Sequence, residues 1–140
     1  DRDHRYLETG RTANQISTFA HTGMFAGEVV SDPAAAFVSP FGDAPGVDIG
    51  RRARTYLHAN CSQCHRAGLV PNLHYDTPLA DTDLCIEKRL VPGAPEASTI
   101  IMRLRSDDLA FRMPRGGGLV RDEAGVSLIE AWIEGLTSCP

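Results

Sequence analysis

The sequence predicts an all-α fold, in which a main helical domain follows an N-terminal extension. Three stretches, at 47–60, 96–105 and 122–136, repeat apolar residues at the spacing of an amphipathic helix. Proline and glycine cluster between these stretches, which indicates loops rather than continuous helix. We find no convincing strand and no internal repeat. The predicted fold class therefore depends on helical periodicity and on the breaks between the helices.

Residues 1–46 form the predicted extension, and residues 47–140 form the main domain. The first ten residues are polar without a sustained period and are expected to form an extended arm. A short amphipathic helix is predicted between residues 12 and 26. Its apolar positions are Ile16, Phe19, Ala20 and Met24. Residues 31–46 are rich in proline and glycine and are predicted to be a linker.

The first and last helices of the main domain have the clearest apolar stripes. In the first, at 47–60, the stripe is Ile49, Ala53, Tyr56 and Leu57, and the opposite face carries Arg51, Arg52 and Arg54. The last helix, at 122–136, begins with acidic residues, which suit the positive end of the helix dipole. Its buried stripe is predicted to be Val126, Ile129, Trp132, Ile133 and Leu136.

The segments between these two helices are less regular. Residues 66–82 and 107–119 contain proline and glycine and are predicted to be loops. One or two helical turns are expected at 83–89. The helix at 96–105 is predicted to direct Ile100, Ile101 and Leu104 inward.

Charge and composition exclude some classes of function. The net charge is −4, with 14 basic and 18 acidic side chains, which gives no support for a nucleic-acid partner. No apolar run approaches the roughly 20 residues that a membrane-spanning helix needs. Aromatic residues make up only 6% of the chain, a low value for a domain that fills its own interior. A large flat cofactor would supply the missing apolar volume.

The run Cys61-Ser62-Gln63-Cys64-His65 follows directly on the first helix of the main domain. A C-x-x-C-H run is the attachment signature of c-type haem. At the end of a helix, two thiols three residues apart can each reach one vinyl group of the same porphyrin, and the adjacent histidine can supply the proximal ligand to the iron. The sequence therefore predicts one covalently attached haem c, held by Cys61, Cys64 and His65.

Three other interpretations of this run are weighed against haem. A thioredoxin-like redox pair needs a βαβ context, whereas the flanking segments here are predicted to be helical. A zinc site would add Cys85 or His74 to the run, yet the sequence has no second C-x-x-C and no H-x-x-x-H pair. The remaining alternative is a chance occurrence with a purely structural role.

Met113 is the predicted ligand on the other face of the iron. It lies before Pro114 in an irregular stretch, 48 residues after His65. Proline restricts the residue before it to extended backbone, and the glycines at 116–118 let the chain turn away close to the ring. A thioether ligand raises the reduction potential. Because two axial ligands leave no open position for a substrate, we expect no enzymatic activity at the iron.

Other side chains compete with Met113 for this position. Met102 lies within a predicted helix, where core packing accounts for it. Met24 would need the extension to fold over the haem. A bis-histidine centre is a further alternative, although each candidate lies in the polar setting of a surface histidine. These candidates are His4, His21, His58 and His74.

The two remaining cysteines and the start of the chain indicate an exported protein. A disulfide between Cys85 and Cys139 would stabilise the fold, and the alternative is two unpaired thiols. Covalent haem and a disulfide both favour an oxidising compartment, so we expect a periplasmic or secreted location. The chain opens at Asp1 without a signal sequence, which we interpret as a processed form or a piece of a larger polypeptide.

The order of helix, C-x-x-C-H, proline-bearing loop, helix, Met-Pro loop and closing aromatic helix resembles the class I c-type cytochromes over residues 47–137. The stretch Val70-Pro71-Asn72-Leu73 is similar to the Gly-Pro-Asn-Leu stretch of that family, with valine in place of glycine. The resemblance implies the class I cytochrome c fold. It also implies that the Pro71 carbonyl accepts the second N–H of the His65 imidazole. The residues expected where the first and last helices cross are Ala53, Leu57, Trp132 and Ile133.

More narrowly, the chain resembles a group of bacterial secreted proteins in which such a domain is the C-terminal part of a longer chain. The stretches that carry this likeness are Arg54-Thr55-Tyr56-Leu57, Tyr75-Asp76-Thr77-Pro78-Leu79 and Arg112-Met113-Pro114. Arg115, which follows Met-Pro, departs from the pattern. The loop beyond the methionine is therefore expected to differ in shape from that of the group.

The resulting hypothesis is a monohaem electron carrier that serves redox partner proteins. Four arginines near the Met113 loop could pair with haem propionates or dock an acidic partner, or they are ordinary solvated arginines. They are Arg103, Arg105, Arg112 and Arg115. Two further hypotheses are an electron-accepting haem module of a periplasmic dehydrogenase or peroxidase, and a haem-based sensor that exchanges Met113 for a gas.

Overall fold

The computed structural model describes residues 3–27, 37–42, 45–115 and 120–139. Two compact units divide the chain, the first ending at Phe37 and the second beginning at Val38. Part of the predicted linker at 31–46 and the glycine turn predicted at 116–118 lie outside the described residues.

The first unit consists of a β-hairpin followed by a short helix. Strand β1 (Asp3–Arg5) pairs antiparallel with β2 (Thr12–Asn14), so that His4 lies opposite Ala13. Helix α1 (Gln15–His21) begins where the Asn14 side chain accepts a hydrogen bond of 2.9 Å from the backbone N–H of Ser17. This is an ordinary N-cap. No residue of α1 is buried.

The predicted all-α class was wrong because of this hairpin. Its strands read Asp-His-Arg and Thr-Ala-Asn, which have neither apolar alternation nor strong β propensity. Backbone pairing holds them, with the N–H of Tyr6 donating to the carbonyl of Arg11 at 2.9 Å and Gly10 turning at φ +66°. Such pairing leaves no periodic signal in the sequence.

The predicted class I cytochrome c fold around a bound haem is corrected with it. The described residues combine four helices with a two-stranded sheet. Within these residues, no group of three or more His, Cys, Asp or Glu side chains is arranged to hold a metal ion. The architecture is therefore a helical unit and a separate hairpin–helix unit.

Three helices build the second unit. They are α2 (Ile49–Cys61), α3 (Thr99–Arg105) and α4 (Glu123–Glu134). Short 3₁₀ turns lie between α2 and α3, at Leu79–Asp81, Ile86–Lys88 and Pro95–Ala97. In the described part of the chain, no helix is both long enough and apolar enough to cross a membrane.

The core of the second unit lies where α2 packs on α4. Ala53 and Leu57 are buried in one cluster with Trp132 and Ile133, as predicted. The predicted stripe of α4 is confirmed except at Leu136, which is only partly buried. Ile49 departs from the prediction because it is 38% exposed at the start of α2.

Gly125 lets a side chain of α2 pack closely on the backbone of α4. A Cβ placed there would overlap the ring and the hydroxyl of Tyr56, so the aromatic ring packs directly on the α4 backbone. The Tyr56 hydroxyl donates to a carboxylate oxygen of Asp122 at 3.0 Å, and Asp122 also caps α4 by accepting from the N–H of Gly125. Burial, and then this hydrogen bond, raise the pKa of Tyr56.

Substitution of Gly125 by alanine is expected to lower the free energy of unfolding by about 1–3 kcal/mol, as overpacking of a core does. Gly135→Ala, at the C-cap of α4, is the control, because a Cβ there meets only two carbonyl oxygens, at 3.5 and 3.6 Å. Urea unfolding followed by circular dichroism measures both variants. Equal midpoints for the two variants would contradict the close Tyr56 contact.

The disulfide that the sequence allowed is present between Cys85 and Cys139, whose Cα atoms lie 6.1 Å apart. It links the segment before α3 to the segment after α4. Cys85 is partly buried against the core cluster, whereas Cys139 is exposed. The bridge therefore anchors the end of the chain to the core.

Candidate functional site

The C-x-x-C-H run forms a tight turn at the end of α2. The helix begins where the Asp48 side chain accepts from the N–H of Arg51, and it ends at Cys61. The carbonyl of Cys61 then accepts from the N–H of Cys64 at 3.1 Å and from the N–H of His65 at 2.8 Å. Both thiols and the imidazole therefore belong to one turn, as the sequence predicted.

The two thiols of this turn are free and lie in different environments. Cys61 is partly buried against the core cluster, and Cys64 is exposed. Burial, followed by the nearby Cys64, raises the pKa of Cys61 to about 11. A thioredoxin-like pair needs a lowered thiol pKa. Together with the absence of strands from the described part of the second unit, this argues against a thiol–disulfide redox site.

Without attached haem, Cys64 is expected to react with iodoacetamide before Cys61 at pH 8. The thiolate is the reactive form, and a pKa near 11 leaves little Cys61 thiolate at that pH. Raising the pH towards 11 should accelerate the reaction at Cys61. Peptide mass spectrometry measures both rates. In Cys64→Ser, the reaction at Cys61 should remain slow, because burial is the main cause of its raised pKa. Equal reaction rates at the two cysteines of the wild type would contradict the buried environment of Cys61.

The zinc interpretation loses one of its predicted ligands. Cys85 is bound to Cys139 and has no thiolate to offer. The other candidate, His74, stacks edge-on against His58, with 4.8 Å between the ring centroids. Since the described residues contain no group arranged to hold a metal ion, a zinc site at this turn has no support from the fold.

His65 is partly buried and lacks a partner at one ring nitrogen. Its Nδ1 atom is buried with no hydrogen-bond partner, so the bond predicted to the Pro71 carbonyl is not formed in this structure. The segment that carries Pro71 nevertheless comes back to His65, because the N–H of Leu73 donates to the His65 carbonyl at 2.8 Å. The role of Pro71 stays a prediction.

Met113 lies in an irregular segment after α3, as predicted. Its N–H donates to the carbonyl of Arg103 at 3.1 Å. The Arg103 side chain donates in turn to the Phe111 carbonyl at 3.1 Å and lies 4.6 Å from the centre of the Phe111 ring. The end of α3 therefore fixes the backbone on both sides of Arg112. Ligation by Met113 stays a prediction.

The other methionines lie in more exposed positions. Met102 is 47% exposed on α3, so core packing does not account for it as the sequence suggested, and Met24 is 67% exposed in the first unit. Met113 is partly buried. Of the three, Met113 is therefore the least exposed.

Exposed apolar side chains flank both predicted ligand segments. Leu69 and Val70, which follow His65, are 57% and 54% exposed. Leu109 and Phe111, which precede Met113, are also exposed. Large exposed apolar side chains close to one another commonly mark a surface that a ligand or partner covers. Both segments therefore offer apolar area for a bound group.

Two of the four arginines proposed for partner docking are engaged elsewhere. Arg105 pairs with Glu130 at 2.7 Å, and Arg103 holds the Phe111 segment. Arg121, which the sequence did not single out, pairs with Asp107 at 2.9 Å. The basic side chains near the Met113 loop therefore act largely within the chain.

The environment predicted for the Arg54 side chain was wrong. It was expected on the solvent face of α2, but it is half-buried, and its Nη2 atom lies within hydrogen-bonding distance of three backbone carbonyls. Backbone carbonyls of a loop leave no residue pattern that identifies their partner. An arginine adjacent to the buried stripe of a helix is the only available signal.

A groove of about 590 Å³ lies along the first half of α2, against the loop at 75–79 and the end of α4. Trp132 forms part of its wall. Gly50, which also lines it, precedes Cys61 by eleven residues, or about 16 Å along a helix. The groove is thus separate from the thiol-bearing turn.

Comparisons with protein-family models, with curated proteins and with solved structures found no match to this chain. Its function therefore has to be inferred from the geometry of its own residues.

Proposed function

We propose that the protein carries one covalently attached haem c and transfers single electrons to and from partner proteins. Cys61 and Cys64 would form the two thioether bonds, and His65 and Met113 would be the axial ligands. The observation that carries this proposal is the turn at the end of α2, which brings two free thiols and an imidazole together.

The chemistry of the residues in this turn fits a haem better than the alternatives. Thioether formation needs two reduced cysteines that are not bonded to each other, and Cys61 and Cys64 meet that condition. Nδ1 of His65 is buried without a hydrogen-bond partner. An imidazole that binds iron through its other nitrogen needs an acceptor for the N–H at Nδ1. If Nε2 of His65 binds the iron, Nδ1 carries the proton, and the carbonyl proposed to accept it is that of Pro71.

The apolar flanks support the same proposal. Leu69 and Val70 follow the turn after three intervening residues, and Leu109 and Phe111 precede Met113. Covering these side chains with a flat apolar group would remove them from water at about 25 cal/mol per Å² of apolar surface. The same burial would exclude water from the axial ligands.

The bound haem would supply an iron that alternates between the ferrous and ferric states. The chain's own residues would set how easily it does so. Cys61 and Cys64 fix the position of the ring, and His65 donates a nitrogen from a turn that the core holds. The Met113 thioether favours the ferrous state and raises the reduction potential. With both axial positions filled by side chains, the chain would pass electrons rather than bind substrate at the iron.

The test is to produce the full chain with haem-attachment machinery and to measure its intact mass. We expect a mass increase of one haem that survives extraction with acidic acetone, and sharp α and β bands in the ferrous spectrum. Cys61→Ser and Cys64→Ser should each retain a single thioether, and His65→Ala should lose the native spectrum. Gln63→Ala is the matched control, because Gln63 is an exposed residue of the same turn. A colourless wild-type protein, or pigment lost to acidic acetone, would refute the proposal.

A further inference from the structure

One guanidinium group fastens the loop that returns to His65. Nη2 of Arg54 lies 3.2 Å from the carbonyl oxygen of His74, 2.8 Å from that of Tyr75 and 2.6 Å from that of Thr77. These three oxygens lie within the four consecutive residues 74–77 of a loop without regular secondary structure. Hydrogen bonds from a charged donor are stronger than those between neutral groups. Arg54 therefore holds the loop backbone itself, rather than any one side chain.

His58 contacts the same loop one helical turn further along α2. The N–H of Tyr75 donates to Nδ1 of His58 at 3.1 Å, and the His58 ring stacks edge-on with that of His74. Burial, and then the neighbouring His74, lower the pKa of His58, which keeps the imidazole neutral and able to accept this bond. Residues four apart on a helix share a face, so Arg54 and His58 act on the loop from the same side.

The loop passes this restraint to the haem ligand by a short route. Leu73, directly before His74, is buried in the core, and its N–H donates to the His65 carbonyl at 2.8 Å. The N–H of Asn72 donates to the carbonyl of Thr82 at 2.9 Å. The residues between Asn72 and Thr77 are therefore fixed from α2 on one side and joined to His65 on the other.

We infer that Arg54 is a positioning residue for His65, acting through the backbone of residues 72–77, with His58 as a second anchor. The inference rests on the function proposed above. Cys61 attaches the ring to the end of α2, whereas Arg54 attaches the returning loop to the middle of the same helix. Helix α2 would thus hold both the Cys61 thioether and the surroundings of the His65 imidazole in place.

This role has a definite electrochemical sign. With haem bound, the Pro71 carbonyl proposed to accept the second imidazole N–H would make the ligand more basic, which would stabilise the ferric state. Loosening the loop should weaken that effect and raise the reduction potential. Loss of a positive charge near the haem would instead stabilise the ferric state and lower the reduction potential. The sign of the change in reduction potential therefore distinguishes an effect of positioning from an effect of charge.

Amide hydrogen exchange of the full chain, followed by NMR, tests the restraint directly. In Arg54→Met the amides of Leu73 and Tyr75 should exchange about tenfold faster, while amides in the middle of α4 keep their rates. Arg54→Lys should lie between Met and the wild type, because an ammonium group still donates up to three hydrogen bonds. If Arg54→Met does not fold, the exchange rates of Arg54→Lys test the restraint instead.

Arg66→Met is the control for charge, since Arg66 is exposed and adjacent to His65. We expect the reduction potential to rise above the wild-type value in Arg54→Met and to fall below it in Arg66→Met, with the Lys variant close to the wild type. Unchanged exchange at Leu73, a uniform increase that includes α4, or a potential of Arg54→Met at or below the wild-type value would overturn the positioning role. A chain that never takes up haem would instead refute the proposed function, so the two failures are distinct.

Discussion

Replacement of Met113 by alanine in the haem-loaded protein is expected to remove the weak ferric band near the red end of the spectrum and to lower the reduction potential. If Met113 is the ligand, its soft thioether favours ferrous iron, and its loss should shift the potential by a sizeable part of the roughly 0.8 V range that axial ligands span. The reduced variant should also bind carbon monoxide quickly, since its sixth position is open. Optical titration and stopped-flow mixing measure these changes.

Met102→Ala is the control that the structure makes necessary. Met102 is 47% exposed on α3, and so its packing does not exclude it as a ligand. We expect Met102→Ala to keep both the red band and the potential, because the backbone contact with Arg103 belongs to Met113. Loss of the band in Met102→Ala alone would reassign the ligand. Fast carbon monoxide binding by the wild type would favour a gas sensor over a carrier.

The sequence predicted those parts of the fold in which one apolar face of a helix packs into the core. Helices α2 and α4 have apolar residues at helical spacing, and the residues expected at their crossing lie in one buried cluster. The same logic predicted the turn after α2, since the spacing of two cysteines and a histidine is a local property of the chain. Local periodicity and local spacing are readable without tertiary information.

The hairpin, Gly125 and Arg54 escaped prediction for different physical reasons. The strands are held by backbone hydrogen bonds between polar, exposed residues, which no alternation marks. Gly125 costs helix stability by itself, and its value appears only when the Tyr56 ring packs on it. Arg54 binds backbone carbonyls twenty or more residues away, so its partner depends on the path of a loop. Gly125 and Arg54 thus depend on contacts distant in sequence, whereas the hairpin depends on local backbone pairing.

The candidate site likewise contains residues that local spacing predicted and residues that it did not. Cys61, Cys64 and His65 are close in sequence, and the structure brings them into one turn. Met113 and Pro71 were assigned through the order of elements and a family likeness, and their ligand roles stay predictions. The unpartnered Nδ1 of His65 could not be foreseen, since burial of one ring nitrogen depends on how the returning loop packs.

Removal of the Cys85–Cys139 bridge is expected to lower the free energy of unfolding by about 4 kcal/mol, the loop-closure value for a sequence separation of 54 residues. That is a large part of the 5–15 kcal/mol typical of a small domain. The double variant Cys85→Ser, Cys139→Ser avoids a stray thiol. Urea unfolding measures the loss, and Ser138→Ala, an exposed neighbour of Cys139, serves as the control.

The bridge should act mainly on the unfolded chain, because other contacts also hold α4 in place. The N–H of Gly93 donates to the Ile133 carbonyl at 2.9 Å, and Trp132 is buried against α2. The serine variant should therefore keep the native circular dichroism spectrum, while its urea dependence steepens as the released chain exposes more surface. A loss below about 1 kcal/mol would show that the unfolded chain remains compact without the bridge. A changed native spectrum would show that Cys139 is needed to dock α4.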